Sequence, residues 1–77
     1  MKDYSRTELE NGINEWIVGR NAERNRLILK LKLIDGLSYN AILNILHSED
    51  NPEEYKIELR QLQRVIRKCE TVLFRHI

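Results

Sequence analysis

From Pro52 to the C-terminus no residue breaks a helix, and that uninterrupted run most constrains what the chain can become. Stepping at about 100° per residue, Leu59, Leu62, Val65, Ile66, Cys69, Val72, Leu73 and Ile77 fall on one arc. Lys56, Arg60, Arg64, Arg67, Lys68, Thr71 and Arg75 fall on the opposite arc, with Gln61 and Gln63 at its two edges. A helix over 52–76 would be roughly 37 Å long at 1.5 Å per residue. Its apolar arc must be covered, and the remainder of a 77-residue chain has to supply the cover.

That remainder also reads as helix, because no stretch alternates apolar and polar residues long enough to make a strand. Ser5 followed by Glu8 is a capping-box pattern, and it opens a helix over roughly 6–18. Leu9, Ile13, Trp16 and Ile17 share one face of it, Gly12 weakens it relative to alanine, and Gly19 is placed to end it. Asn21 is positioned to cap a second helix over roughly 22–35, which Gly36 stops. Leu27, Leu31 and Ile34 lie on one side of that helix, while Ile28, Leu29 and Leu33 spread around the rest. Two apolar sides predict a central helix packed by others on both. Ser38 caps a third helix over 39–46, with Ile42, Leu43 and Leu46 facing inward. Asn51-Pro52-Glu53-Glu54 offers a cap, a proline at the first position and acids against the dipole, which starts the fourth helix at 52. The expectation is an all-α fold, a compact four-helix domain over 1–77, in which Trp16, Leu27, Leu31, Ile42, Leu46, Leu62, Ile66 and Leu73 share one core.

Composition narrows the function classes. Thirteen basic residues against twelve acidic ones leave a net charge of +1, yet the charge is polarised. No basic residue lies between Leu37 and Glu54, whereas Glu49, Asp50, Glu53 and Glu54 do. From Tyr55 onward the balance is strongly basic. One cysteine, Cys69, excludes an intrachain disulfide and a Cys-based zinc site, which suits a reducing cytoplasm. His47 and His76 are far apart and have no second ligand at helical spacing, and the three glycines are isolated, so neither a metal site nor a phosphate loop is expected. No base partners Ser38 or Ser48 at a catalytic spacing. No apolar run approaches the ~18 residues of a membrane span. The expectation is a small cytoplasmic binding domain with no enzyme activity, cofactor, metal or membrane contact.

The stretch Glu23-Arg24-Asn25-Arg26-Leu27 through Asp35-Gly36-Leu37-Ser38-Tyr39-Asn40-Ala41-Ile42 resembles the front half of a sigma-factor region 4 type helix-turn-helix. It is similar to the small regulators of that type carried by phages and mobile elements of Gram-positive bacteria. Leu62, Ile66, Cys69 and Leu73 repeat the apolar spacing of that family's recognition helix, and Leu73-Phe74-Arg75-His76-Ile77 resembles its end. The likeness covers about Glu23 to Leu46 and Leu59 to Ile77. Between the two parts, where the family has a tight turn, this chain carries a longer acidic elbow with Glu49, Asp50, Glu53 and Glu54. The resemblance implies a DNA-binding transcriptional regulator, dimeric, that places its final helix in the major groove of duplex DNA. Carried onto this chain, Arg60, Gln61, Gln63 and Arg64 would read bases, and Arg67, Lys68 and Arg75 would hold phosphates, with Arg24 and Arg26 adding backbone contacts. The alternative expectation is a protein-binding module on a modified helix-turn-helix frame, such as a small phage inhibitor of a host protein or ribonucleoprotein (anti-CRISPR-like), using the elbow or the basic helix.

Overall fold

In the computed structural model, which describes residues 4–77, four helices carry the chain: α1 (Arg6–Trp16), α2 (Ala22–Leu29), α3 (Tyr39–Leu46) and α4 (Leu59–His76). A π-helical turn, Lys30–Ile34, prolongs α2, and a single 3-10 turn, Glu53–Tyr55, precedes α4. No strand occurs among the described residues, so the all-helical expectation holds.

The caps explain two of the starts. The Glu8 amide donates to Ser5 Oγ at 3.1 Å and the Ser5 amide donates to Glu8 Oε1 at 3.3 Å, which closes the capping box of α1. The Ala41 amide donates to Ser38 Oγ at 3.2 Å at the start of α3. Asn21 behaves otherwise than its sequence position suggests. It sits in the left-handed region at φ 63°, and its side chain makes no capping hydrogen bond. With Gly19 at φ 91°, it turns the chain from α1 into α2. The first helix ends at Trp16, earlier than expected, because Ile17 adopts an extended conformation that buries its side chain. The freed Ile17 carbonyl accepts a 2.7 Å hydrogen bond from Arg26 Nε.

α2 is central, as its two apolar sides predict. Ile28 enters one buried cluster and its neighbour Leu29 enters another. The wider π turn ends where the Asp35 amide donates to the Lys30 carbonyl, and Gly36 at φ 68° lets the Leu37 amide reach back to the Leu31 carbonyl at 3.0 Å.

The apolar interior forms two clusters rather than one. Ile28, Ile42, Leu46, Ile57, Leu62 and Ile66 make the first; Ile13, Ile17, Leu29, Cys69 and Leu73 make the second. Val65 packs against both. Of the expected core, Leu27 and Leu31 pack at the edge of the first cluster, and Trp16 belongs to neither. Its indole stacks on the His76 ring instead, with centroids 3.9 Å apart and planes within 16°. Gly12 is buried where α1 crosses the end of α4, and a Cβ there would lie 2.9 Å from both Leu73 Cδ1 and Ile77 Cγ2. The glycine weakens α1 as a helix but permits this close crossing.

The fourth helix begins at Leu59 and not at 52. Pro52 is extended, Glu53–Tyr55 makes one 3-10 turn, and Lys56 leaves the helical region at ψ 83°. Burial explains the break. In a continuous helix, five residues of about 100° each would put Ile57 some 140° away from Leu62, among the basic side chains. Leaving the helix lets Ile57 fall to 5% exposure and lets Tyr55 pack against the same cluster. Leu59, at the start of α4, is left 42% exposed.

Truncating a residue at the centre of a cluster should therefore cost more than truncating one at its edge. Leu62→Ala, at a fully buried position, is expected to lose about 2–5 kcal/mol in urea unfolding, enough to unfold much of a domain this small. Leu31→Ala is expected to lose less than half as much; an equal loss would put Leu31 inside the core.

Candidate nucleic-acid interface

α4 turns Leu62, Ile66, Cys69 and Leu73 inward, and this fixes what its other side presents. Arg60, Gln61, Gln63, Arg64, Arg67, Lys68 and Arg75 are all exposed. Counted at about 100° per residue they occupy an arc of roughly 160°, and Arg60 to Arg75 covers about 22 Å of helix length. The seven residues expected from the sequence are thus brought together on one element.

No carboxylate among the described residues pairs with this face. Among the described residues there are two ion pairs, Arg6 with Glu10 at 3.6 Å and Lys56 with Glu53 at 2.7 Å, and neither involves α4. Glu70 lies half-buried at the margin of the arc. Like charges spaced three and four residues apart repel by a few tenths of a kcal/mol per pair, so the face is electrostatically unsatisfied in the isolated chain.

A cleft runs beside it, lined by Tyr39 from the start of α3 and by Gln63, Arg67, Glu70 and Thr71 from α4. Lys32 Nζ lies 5.8 Å from the centre of the Tyr39 ring, so a second cation borders the cleft from the π turn. Tyr39 and Lys32 are absent from the sequence-derived set. Each belongs to a different element, and only the fold brings them to α4. The one local sign was the position of Tyr39 directly after the Ser38 cap, which leaves a first-turn side chain partly outside.

Arg24 and Arg26 are placed differently from the expectation of backbone contacts. Arg24 is 7% exposed, and its Nε donates to Asn25 Oδ1 at 3.1 Å. Arg26 uses its Nε to hold the Ile17 carbonyl, as described above. Arg26 thus fastens the corner between α1 and α2, while Arg24 is buried beside it with its bond inside α2.

The elbow is anchored at two points. Asn51 Nδ2 donates to the Ile45 carbonyl at 2.7 Å, and His47 Nε2 hydrogen-bonds the Ile57 carbonyl at 2.8 Å. Glu49, Asp50, Glu53 and Glu54 are all exposed. The hydrogen bond from Lys56, and then its charge, hold the Glu53 carboxyl below the usual carboxylate range. Glu54 and Tyr55 border a hollow with Gly19, Asn21, Ala22 and Arg24, so this end of the elbow folds back on the start of α2.

Neither histidine is idle: His47 closes the elbow, and His76 bonds the Val72 carbonyl through Nδ1 at 2.9 Å while stacking on Trp16. Among the described residues no group of three or more His, Cys, Asp or Glu side chains could hold a metal. No helix among them is long and apolar enough to cross a membrane. The chain matches no protein-family model, no characterised protein and no solved structure.

Cys69 lies in the second cluster, and burial pushes its thiol up from the usual range. Native protein at neutral pH should therefore alkylate far more slowly than protein unfolded in urea, because only the thiolate reacts. Mass spectrometry after a timed iodoacetamide pulse reads the difference; equal rates would place Cys69 at the surface.

Proposed function

We propose that the protein is a DNA-binding regulator of the helix-turn-helix type, of the kind found in phages and mobile elements, with α4 as the helix that enters the major groove. One observation carries this reading: a helix whose inner face is core presents Arg60, Gln61, Gln63, Arg64, Arg67, Lys68 and Arg75 outward, and among the described residues no carboxylate pairs with any of these cations. Arginine and glutamine form paired hydrogen bonds with guanine and adenine edges, so Arg60, Gln61, Gln63 and Arg64 are assigned to bases. Arg67, Lys68 and Arg75 are assigned to phosphates, where charge matters more than shape. Tyr39 and Lys32, beside Gln63 and Arg67, extend the same surface. The elbow's end, folded toward the start of α2, supports a duplex lying along α4 without crossing Glu54.

The salt dependence of duplex binding tests this. With four to six phosphates engaged, the affinity for a mixed-sequence duplex should fall with a log–log slope of about −4 to −5. Lys68→Ala should flatten that slope by about one while leaving sequence preference alone. Fluorescence anisotropy across a salt series gives both values. Folded protein that binds no duplex even at low salt would overturn the assignment.

A second reading, a protein-binding module such as an inhibitor of a host nucleic-acid machine, is favoured by the elbow. Glu49, Asp50 and Glu54 are exposed and make no ion pair among the described residues. The double change Glu49→Gln with Asp50→Asn separates the two. On the DNA reading it leaves duplex affinity unchanged or raises it, because repulsion from phosphates is removed. Lost duplex affinity in a folded double mutant would contradict the placement of the duplex along α4.

A further inference from the structure

Between the α1–α2 corner and α4 lies a half-open hollow of ≈ 530 Å³, a size that suits a small molecule. Trp16, Val18, Val65 and Val72 give it apolar walls. Val18 is 65% exposed and Trp16 is only partly buried, so these walls are accessible to solvent. Three cations share the lining, Arg20 from the corner, Arg24 from α2 and Lys68 from α4, and no carboxylate among the described residues joins them.

Arg24 is the unusual member of this set. It is 7% exposed, yet its guanidinium makes a single hydrogen bond, from Nε to the neutral amide oxygen of its neighbour Asn25. A guanidinium keeps its charge and carries several further donors, and burying a charge without a counter-ion is costly. Among the described residues neither Arg20, Arg24 nor Lys68 makes an ion pair. Burial raises the Cys69 thiol while the charges of Lys68 and Arg24 oppose that rise, so both cations bear on the part of the lining where the cysteine lies. A side chain as deep as Arg24 is reached from inside the hollow and not across the outer surface, which suits a small molecule better than a macromolecule. We propose that the hollow binds a small amphipathic carboxylate: its apolar body lies against Trp16, Val18, Val65 and Val72, and its anionic end meets Arg24 and Lys68, with the exposed Arg20 adding charge. Apolar walls with a few convergent donors are the usual make-up of such a site, and a carboxylate matches the forked donors of arginine. Lys68 also belongs to the basic face of α4, so the site adjoins that surface.

Titration of the full chain with octanoate tests this, and it is done without DNA so that the result does not depend on the duplex assignment. The expected result is one saturable site, read as a change in Trp16 emission and as methyl shifts in NMR spectra at Val18, Val65 and Val72. Octan-1-ol supplies the body without the charge and should bind at least about tenfold more weakly, because the charge-assisted hydrogen bonds are lost. Acetate supplies the charge without the body and should bind more weakly still. Lys68→Gln and Arg20→Gln, both at exposed positions, should each weaken octanoate by roughly threefold to tenfold, with circular dichroism confirming that the variants stay helical. Absence of saturable shifts at the three valines would overturn the proposal. Octan-1-ol binding as tightly as octanoate would make the hollow merely greasy, and acetate binding as tightly would make it a bare anion site; either result overturns it. Variants that bind octanoate like the wild type would overturn it equally.

Discussion

The burial of one stripe on α4 governs the rest of the structure. Leu62 and Ile66 close the first apolar cluster, Cys69 and Leu73 close the second, and Val65 touches both. No other element supplies two buried residues to each cluster. α2 reaches the two through the adjacent pair Ile28 and Leu29, α3 reaches only the first through Ile42 and Leu46, and α1 only the second through Ile13, with Ile17 just beyond its end. A chain this short exposes much of its surface, so it lacks the surplus burial that would let one helix be lost. Fixing the stripe inward also fixes the rotation of the helix, and hence the aim of every charged side chain on its outside.

Core contacts and an unbalanced charged surface therefore meet on a single helix. The inner face contributes the core contacts, while the outer face gathers cations that repel one another. The acidic residues that could have balanced them lie elsewhere, in an elbow held to its own ends by Asn51 and His47. A fold selected for stability alone would intersperse the two signs. Here the two signs are kept apart, the cations on α4 and the carboxylates of the elbow elsewhere.

Much of this was legible from the residues. The Ser5–Glu8 and Ser38 caps marked two helix starts because each satisfies backbone amides that nothing else reaches. The purity of the α4 arc announced which seven side chains would be exposed together. Local signals failed where a distant demand outweighed them. Asn51-Pro52-Glu53-Glu54 fits a helix start, but the need to bury Ile57 broke the run, and the sign of it was that Ile57 falls off the apolar arc. Asn51 turned its side chain back to α3. Arg24 and Arg26 read as surface cations, yet a carbonyl left open by the early end of α1 and a polar neighbour drew them in. Tyr39 and Lys32 escaped notice because convergence of separate elements leaves no periodic trace.

The stack of Trp16 on His76 joins the first helix to the last turn of α4, and so closes nearly the whole chain into a loop. The contact spans sixty residues of chain, so closing it carries a large loop-closure entropy. It also lies outside both buried clusters, so it draws little support from the core. Beside it, the seam between α1 and the end of α4 is closed by Gly12, Ile13 and Leu73, all buried. Because Trp16 is the only tryptophan in the sequence, its emission is a local gauge of that seam and of the hollow beside it, built into the molecule and distinct from any probe of total helix content.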